Sequence, residues 1–388
     1  MTAGRAPAGA AESRYTRLMR ILYGVAGEGM GHATRSRVVI DHLAARHEVQ
    51  VVVSGRAHDY LKARESDRLG VTRIWGLSIV YEDNEVQNLR TVLSNLTGAF
   101  TGGLPANVRA YFDLATQFQP DVVVSDFESW SHLYGKMHGL PVISLDNNQL
   151  LNRCAHPPEV LAGKEAEYLL AKAVVKAKLP GCFHYLITTF FYPEVSKPRT
   201  SLHPPILRPE VVAARPEAGD HLLVYQTSTS NPALPELLRG AGRECRIYGL
   251  RRDLVAEERD GPLRYLPFDE RRFVEDLRTA RAVVSGGSFT LMSEAIHLRK
   301  PMLSVPVRGQ FEQVLNGRYL ERLGYGLTAD ELDGALLGRL LERLPELERN
   351  LARAGAGADG HEGAVARLDA LLEAAVAGGP AADADPLA

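Results

Sequence analysis

The pattern that most constrains the fold is an alternation of short apolar runs with amphipathic segments, which occurs twice along the 388-residue chain. Continuous apolar runs rich in β-branched residues are typical of parallel strands that helices cover on both faces. The first half contains six such runs, at Ile21–Val25, Val49–Val53, Arg73–Gly76, Val122–Ser125, Val142–Leu145 and Tyr185–Thr188. The second half contains five, at Leu222–Tyr225, Arg246–Tyr248, Arg264–Leu266, Ala282–Ser285 and Met302–Val305. The alternation predicts an α/β protein with two doubly wound, Rossmann-like domains.

The segment between the two halves predicts the domain boundaries. Residues 193–219 contain six prolines and no periodic pattern, which is typical of a linker. We therefore expect an N-terminal domain at 18–192, a linker at 193–219 and a C-terminal domain at 220–352. Residues 353–388 are rich in Ala, Gly and Asp, and they predict a partly disordered tail with one short helix. Doubly wound sheets bind ligands at the carboxyl ends of their strands, so we expect the site in a central cleft.

Composition argues against several classes of protein. A formal charge of −2 gives no general attraction to nucleic acid or to anionic lipid. The three cysteines, Cys154, Cys182 and Cys245, lie far apart without metal-ligand spacing, which favours a reducing compartment. Residues 1–17 lack the apolar core of a signal peptide, and no apolar run reaches the ~20 residues of a membrane span. We expect a cytoplasmic protein.

A glycine-rich turn follows the first apolar run and ends in a histidine. Gly29, Met30 and Gly31 lead into His32, which is thereby presented where a strand gives way to a helix. A neutral imidazole can accept a proton near neutral pH, and a carboxylate on its other nitrogen would fix the tautomer. Asp126, at the end of a neighbouring run, is the acid we favour, and Glu128 competes with it. Packing alone could also explain a glycine-rich turn of this kind.

A second glycine turn lies between a strand pattern and a helical pattern in the C-terminal half. Backbone N–H groups of Gly286 and Gly287 could approach a diphosphate, and Ser288 could donate at the start of the helix. Glu294 could then accept both hydroxyls of a ribose, although a solvated acid on a structural helix is an equal alternative. Ser228 lies in a Ser/Thr-rich turn that could either contact phosphate or be purely structural. Phe268 could pack on a base or in the core.

Together with Lys300–Pro306 and Gln310–Asn316, this second turn resembles the nucleotide-sugar signature of GT-B glycosyltransferases. The chain is similar to the UDP-sugar-dependent families that include the peptidoglycan N-acetylglucosaminyltransferase and the small-molecule glycosyltransferases. The resemblance implies an acceptor-binding N-terminal domain and a C-terminal domain that binds the nucleotide sugar. It also implies roles for single residues: His32 as catalytic base, Asp126 as its orienting acid, Gly29, Met30 and Gly31 as an acceptor loop, Ser228, Gly286, Gly287 and Ser288 near the diphosphate, Phe268 near the base, Glu294 at the ribose, and Glu312 and Gln313 at the donor sugar.

The resemblance implies an inverting, metal-independent glycosyltransferase, specifically a hexosyltransferase. It would move a sugar from a UDP-sugar to a hydroxyl of a small-molecule or lipid acceptor, with the UDP-sugar as co-substrate and no other cofactor or metal. Residues 89–112 could form an acceptor lid, a surface for a lipid acceptor at a membrane, or a helical hairpin packed on its own domain. A UDP-sugar 2-epimerase on the same scaffold and a non-catalytic nucleotide-sugar-binding protein are the alternative functions.

Overall fold

The protein consists of two α/β domains built around parallel sheets. Its structure is a computed structural model that describes residues 18–27, 30–76, 81–82, 85–86, 104–226, 233–251, 253–354 and 360–378. Each of the two domains contains one seven-stranded sheet among the described residues. Within those ranges, no helix is both long enough and apolar enough to cross a membrane.

The N-terminal domain contains a seven-stranded parallel sheet and a small hairpin. Its strands are β1 (Arg20–Val25), β2 (Glu48–Val53), β3 (Leu69–Arg73), β4 (Tyr81–Glu82), β5 (Glu85–Val86), β6 (Val122–Asp126), β7 (Val142–Asp146), β8 (His184–Thr188) and β9 (Thr200–His203). The sheet order is β3-β2-β1-β6-β7-β8-β9, and β4 pairs with β5 in the antiparallel hairpin. All neighbouring strands of the large sheet are parallel.

Helices cover both faces of this sheet. They are α1 (Met30–Ala44), α2 (Ala57–Lys62), α3 (Leu104–Asp113), α4 (Ser129–Met137), α5 (Leu150–Arg153), α6 (Pro158–Leu161) and α7 (Glu165–Lys178). A π-helical turn at Leu114–Phe118 extends α3. Ile21 and Tyr23 of β1 pack into the core on one face, whereas Leu22 packs into the core on the other. This burial on both faces explains why the strand sequences are continuously apolar.

The C-terminal domain repeats the architecture. Its strands are β10 (Leu222–Tyr225), β11 (Cys245–Tyr248), β12 (Glu258–Asp260), β13 (Leu263–Leu266), β14 (Ala282–Ser285), β15 (Met302–Ser304) and β16 (Gly326–Thr328). Their order is β12-β13-β11-β10-β14-β15-β16, and only the edge strand β12 is antiparallel to its neighbour. The remaining helices are α8 (Pro209–Val212), α9 (Leu234–Arg239), α10 (Glu270–Arg278), α11 (Phe289–His297), α12 (Phe311–Arg322), α13 (Gly334–Arg353) and α14 (Gly360–Val376).

Each sheet has a point where the strand order reverses. In the first sheet β1 lies between β2 and β6, and in the second β10 lies between β11 and β14. The crevice at such a point is where doubly wound folds bind ligands. The two crevices face each other, since the Thr290 hydroxyl at the start of α11 donates to the carbonyl oxygen of Gly31 in α1 at 3.1 Å.

The structure corrects the predicted linker and one strand. The predicted linker at 193–219 contains β9, which pairs with β8, so the first sheet extends beyond residue 192. The strand predicted at Arg73–Gly76 is β3, which ends at Arg73. The short strands β9, β12 and β16 were not predicted, because runs of three or four residues carry little periodic signal.

The predicted tail contains a helix that belongs to the first domain. Helix α14 has 17 residues and buries Leu368, Leu371 and Leu372 in the core beneath α1. His42 of α1 also contacts the Asp369 carboxylate, with 2.9 Å between Nε2 and Oδ2. The predicted disorder at the end of the chain falls on residues 379–388, which lie outside the described part, as do residues 89–103 of the proposed acceptor segment.

Candidate functional site

The turn between β1 and α1 requires glycine for a close approach to β2. A Cβ atom on Gly27 would lie 2.0 Å from the backbone oxygen of Ser54. Gly29 lies outside the described residues, while Met30 and Gly31 form the start of α1. His32 therefore lies in the first helical turn, with its side chain 20% exposed.

Asp126 is brought to His32 by the pairing of β1 with β6. The register aligns Val25 with Asp126, which places this carboxylate beside the turn that follows β1. His32 Nδ1 lies 2.8 Å from Asp126 Oδ1, and the Ser36 hydroxyl donates to Oδ2 at 2.7 Å. An imidazole that donates from Nδ1 keeps Nε2 free to accept a proton. The geometry is that of a histidine oriented by a buried carboxylate.

The competing acid Glu128 has a different role. Its carboxylate accepts hydrogen bonds from the backbone N–H groups of Trp130 at 2.8 Å and Ser131 at 2.6 Å. These contacts cap the N-terminus of α4. Burial raises the pKa of Glu128, although the two backbone donors favour its ionised form.

The sequence analysis missed Arg35, which is buried against Asp126. Its Nη2 donates to Oδ1 at 2.5 Å and its Nε donates to Oδ2 at 3.3 Å. Burial alone would raise the pKa of Asp126, but the charge of Arg35 and the contact with His32 lower it to about 2. The spacing offered one signal, because residues three apart on a helix share a face and Arg35 lies three residues after His32.

Arg35 also begins a polar chain that crosses the cleft. Its Nη1 donates to Asn147 Oδ1 at 2.9 Å, and Asn147 Nδ2 donates to Glu312 Oε1 at 2.7 Å. Asn316 Nδ2 donates to the same oxygen of Glu312 at 2.6 Å. Burial raises the pKa of Glu312, while Asn316 and the nearby His32 favour the ionised form. The carboxylate predicted to hold the donor sugar thus faces the histidine across the cleft.

Gln313 contacts different groups from its neighbour Glu312. Its Oε1 accepts from the backbone N–H of Val307 at 3.0 Å, and its Nε2 donates to the side chain of Gln310. Both contacts join the first turn of α12 to the loop that precedes it. Gln313 therefore orders that loop.

The second glycine turn leads into a helix that meets the start of α1 at Gly31, the residue before His32. Gly287 has a φ of +93°, a conformation that favours glycine, and Ser288 immediately precedes α11. A Cβ atom on Gly31 would be 3.0 Å from Thr290 Oγ1 and 3.7 Å from Ser288 Oγ. The N-terminus of α11 therefore points its first backbone N–H groups into the cleft, which is favourable for an anion.

Glu294, predicted at the ribose, is paired with Arg208. Arg208 Nε and Nη2 donate to the two carboxylate oxygens at 2.7 Å each, and Glu294 is only 2% exposed. Arg208 Nη1 also donates to Glu270 at 3.1 Å, and Glu270 in turn accepts from Arg37 of α1 at 3.1 Å. This network connects both domains to the segment between them.

The two remaining predicted donor residues are an exposed phenylalanine and a serine outside the described part. Phe268 is 54% exposed and packs in a tilted arrangement on Phe273, with 5.6 Å between ring centroids. Ser228 lies in 227–232, outside the described residues. A cavity of about 290 Å³ at the carboxyl ends of β10, β14 and β15 is lined by Ser285, Tyr225 and Arg308, among others.

Two Rossmann-like domains that face each other across a cleft are the architecture of GT-B glycosyltransferases. A family model described as "Glycosyl transferase family 1" matches residues 19–345. The chain belongs to this family. The resemblance to GT-B glycosyltransferases, the predicted two-domain α/β fold and the prediction that the protein is an enzyme are confirmed.

Known relatives and solved structures are similar along most of the chain. An "Uncharacterized glycosyltransferase" of Methanosarcina mazei is 24% identical over 333 residues, covering 79% of this chain and 85% of the relative. The calicheamicin glycosyltransferase CalG4 is 17% identical with a TM-score of 0.60, covering 92% of this chain and 98% of its own. Phytolacca americana UGT2, complexed with UDP-2fluoro-glucose and pterostilbene, is 13% identical with a TM-score of 0.63, covering 92% and 99%.

Proposed function

We propose that this glycosyltransferase is an inverting, metal-independent hexosyltransferase that moves a sugar from a UDP-sugar to a hydroxyl group of a small-molecule or lipid acceptor. One observation carries the proposal. The His32–Asp126 pair lies opposite the turn at Gly286–Ser288, within a cleft narrow enough for Thr290 to bond Gly31. A base and an anion-binding helix terminus are the two groups that a direct displacement needs.

In the proposed reaction the acceptor oxygen attacks the anomeric carbon while His32 Nε2 takes the hydroxyl proton. The bond from the anomeric carbon to the donor diphosphate breaks, and its electron pair leaves with UDP. Backbone N–H groups of Gly286 and Gly287, with the positive end of the α11 dipole, stabilise the negative charge that develops there. Asp126 stabilises the imidazolium that forms. A single displacement from the opposite face inverts the anomeric configuration.

The donor and acceptor classes are supported by likeness to characterised complexes. Phytolacca americana UGT2, which has a similar fold, is seen in complex with UDP-2fluoro-glucose and pterostilbene. Glu312 supports a donor sugar in the cleft, because its buried carboxylate interacts with His32, accepts from Asn147 and Asn316, and can also accept from sugar hydroxyls. We keep the cytoplasm as the expected compartment, since Cys154, Cys182 and Cys245 are all buried free thiols.

Nucleotide binding gives the first test of this function. UDP should raise the apparent melting temperature in a thermal-shift titration, because a ligand that binds only the native state stabilises it by about 2.7 kcal/mol at one hundred times its Kd. TDP and ADP serve as matched diphosphates with other bases. A larger shift with TDP would move the donor class to thymidine diphosphate sugars, and no shift with any diphosphate would contradict the proposal.

Chelation tests the metal-independence. Sugar transfer from a UDP-sugar should continue unchanged in excess EDTA. In the proposed site the diphosphate is bound by backbone N–H groups and a helix N-terminus, which require no metal ion. Product formation from UDP-sugars is followed by mass spectrometry with pooled phenolic acceptors and, in a separate arm, with lipid acceptors in vesicles. Activity that EDTA abolishes and Mg²⁺ or Mn²⁺ restores would contradict this mechanism.

The same assay separates the two alternative functions. A C2 epimer formed from UDP-N-acetylglucosamine without any acceptor would identify an epimerase. Nucleotide binding with neither transfer nor epimerisation, across the donor and acceptor panel, would identify a binding protein. The proposed transferase requires a new glycoside together with an equal amount of UDP.

A further inference from the structure

The charges around His32 are arranged differently from those of a simple histidine–carboxylate pair. Asp126 has no exposed surface and Arg35 is 3% exposed, so a buried cation accompanies the buried anion. The guanidinium and the carboxylate share two hydrogen bonds, at 2.5 Å and 3.3 Å. Their charges therefore cancel within the protein, where interactions are stronger than in water.

The guanidinium also lies against the imidazole itself. Arg35 Nη2 is 3.1 Å from His32 Nδ1, and Asp126 Oδ1 is 2.8 Å from the same nitrogen. A guanidinium has no acceptor, so Nδ1 either donates to Asp126 or accepts from Arg35. The shorter contact, made to a negatively charged acceptor, favours donation from Nδ1 to the carboxylate. Nε2 is then the unprotonated nitrogen.

We propose that Arg35 is a positioning residue that keeps His32 in its base form, both by holding Asp126 at Nδ1 and by placing its own charge beside that nitrogen, so that the proton stays on Nδ1 and Nε2 is free to take the acceptor proton. The inference rests on the proposed function only in taking His32 to be the base that accepts the acceptor proton. A second proton on the imidazole would add a positive charge 3.1 Å from an existing one. Without Arg35, the same proton would neutralise Asp126 and would be favoured.

The other titratable groups near the pair are acids, and in their ionised forms they would favour a protonated imidazole. Glu312 of α12 faces His32 from the opposite domain, and Asp146 of β7 acts on Asp126 from behind. Tyr23 of β1 reaches the Ser36 hydroxyl at 3.5 Å, and burial raises its pKa, so that it stays uncharged. Burial also raises the pKa of Asp146. Because these neighbours are acids, Arg35 is the cation that opposes protonation of His32.

The test measures the protonation and tautomer of His32 without any substrate. The full chain is labelled with ¹⁵N-histidine, and long-range ¹H–¹⁵N spectra are recorded from pH 5 to 9. The His32 signals are assigned by their loss in His32→Gln. In the wild type the neutral ring should carry its proton on Nδ1. In Arg35→Gln the midpoint of the His32 titration should move upward by about one pH unit or more, because a nearby cation has been removed.

Four further variants make the result specific. Asp126→Asn should move the midpoint downward, and the double variant Arg35→Gln/Asp126→Asn should bring it back toward the wild type. Arg35→Lys keeps the charge and should shift the midpoint least. Arg37→Gln is the matched control, since this arginine of the same helix binds Glu210 and Glu270 instead. It should leave the His32 titration unchanged.

A purely structural Arg35 gives a different pattern. The His32 midpoint would then stay in place or fall in Arg35→Gln, and the double variant would match Asp126→Asn; either result overturns the proposal. If Arg35→Gln does not fold, the comparison of the double variant with Asp126→Asn decides alone. Failure of nucleotide binding would reject the proposed function and would leave this titration result standing. In an active enzyme, the midpoint of the acid limb of the pH–rate profile should also move upward in Arg35→Gln, together with the midpoint of the His32 titration.

Discussion

Replacing His32 with alanine should reduce turnover by about 10²–10⁴-fold, the usual effect of removing a general base. The loss should appear in kcat, while the affinity for UDP stays near the wild-type value, since His32 contacts Asp126 rather than the second glycine turn. Turnover is measured as UDP release with the donor and acceptor that the screens select, and UDP affinity is measured by calorimetry.

His42→Ala is the matched control for this substitution. His42 lies on the same helix and also contacts an aspartate, but that partner is Asp369 of α14, so turnover should not change. Asp126→Asn should cost as much as His32→Ala or less, and combining the two should add little, because residues that act as one unit are not additive. Near-normal turnover of His32→Ala would place the base elsewhere, and a simultaneous loss of UDP binding would indicate a structural histidine.

Replacing Glu294 with alanine should destabilise the protein by about 3–5 kcal/mol, because it leaves the buried Arg208 without its main partner. Both oxygens of Glu294 bind this guanidinium at 2.7 Å, and the two side chains are 2% and 4% exposed. Urea unfolding at constant pH measures the loss. The sequence alone suggests a ribose contact whose removal leaves the fold intact, and the pairing with Arg208 changes that expectation.

Glu270→Ala provides the comparison, since Glu270 also contacts Arg208 but is 26% exposed. Its removal should cost far less, because Arg208 keeps Glu294. The double variant Arg208→Met/Glu294→Leu should recover most of the stability, since apolar residues of similar size often replace a buried ion pair without loss. A loss below about 1 kcal/mol in Glu294→Ala, the range of an exposed ion pair, would show that the pair is not buried in solution.

The ribose assignment of Glu294 is tested on the same variants under conditions where they are folded. Loss of a charged hydrogen-bond acceptor should weaken UDP binding by roughly 1.5–3 kcal/mol. Glu270→Ala should bind UDP normally. Unchanged UDP affinity in the folded Glu294→Ala and in the double variant would leave Glu294 with the structural role alone.

Much of the architecture could be read from the sequence, because its causes are local. β1 is buried on both faces, and such strands must be apolar at every position, so runs such as Ile21–Val25 and Val122–Ser125 are visible without knowledge of their partners. The glycine turn at 286–287 is equally local, since it depends on one backbone conformation and on the helix that follows. The short edge strands β12 and β16 lack such a signal.

The sequence alone could suggest that His32 and Asp126 meet, because Asp126 ends one strand of a parallel sheet and His32 follows the turn after the neighbouring strand. It could not determine which acid would be used. Asp126 ends β6, whereas Glu128 lies two residues beyond the strand. There its carboxylate accepts hydrogen bonds from the first backbone N–H groups of α4. That choice depends on where one helix begins, which the pattern of residues gives only to within a few positions.

The partners of the buried charges were decided by the tertiary structure. Arg35 meets Asp126 across 91 residues, and Arg208 meets Glu294 across 86 residues. A charged residue in a sequence is expected on the surface, where water solvates it. Only the packing of distant elements can bury it, and a buried charge then requires a partner. The sequence determined two doubly wound domains and the two turns that face the cleft; the assembled sheets determined which charges stand beside the histidine and which hold the domains together.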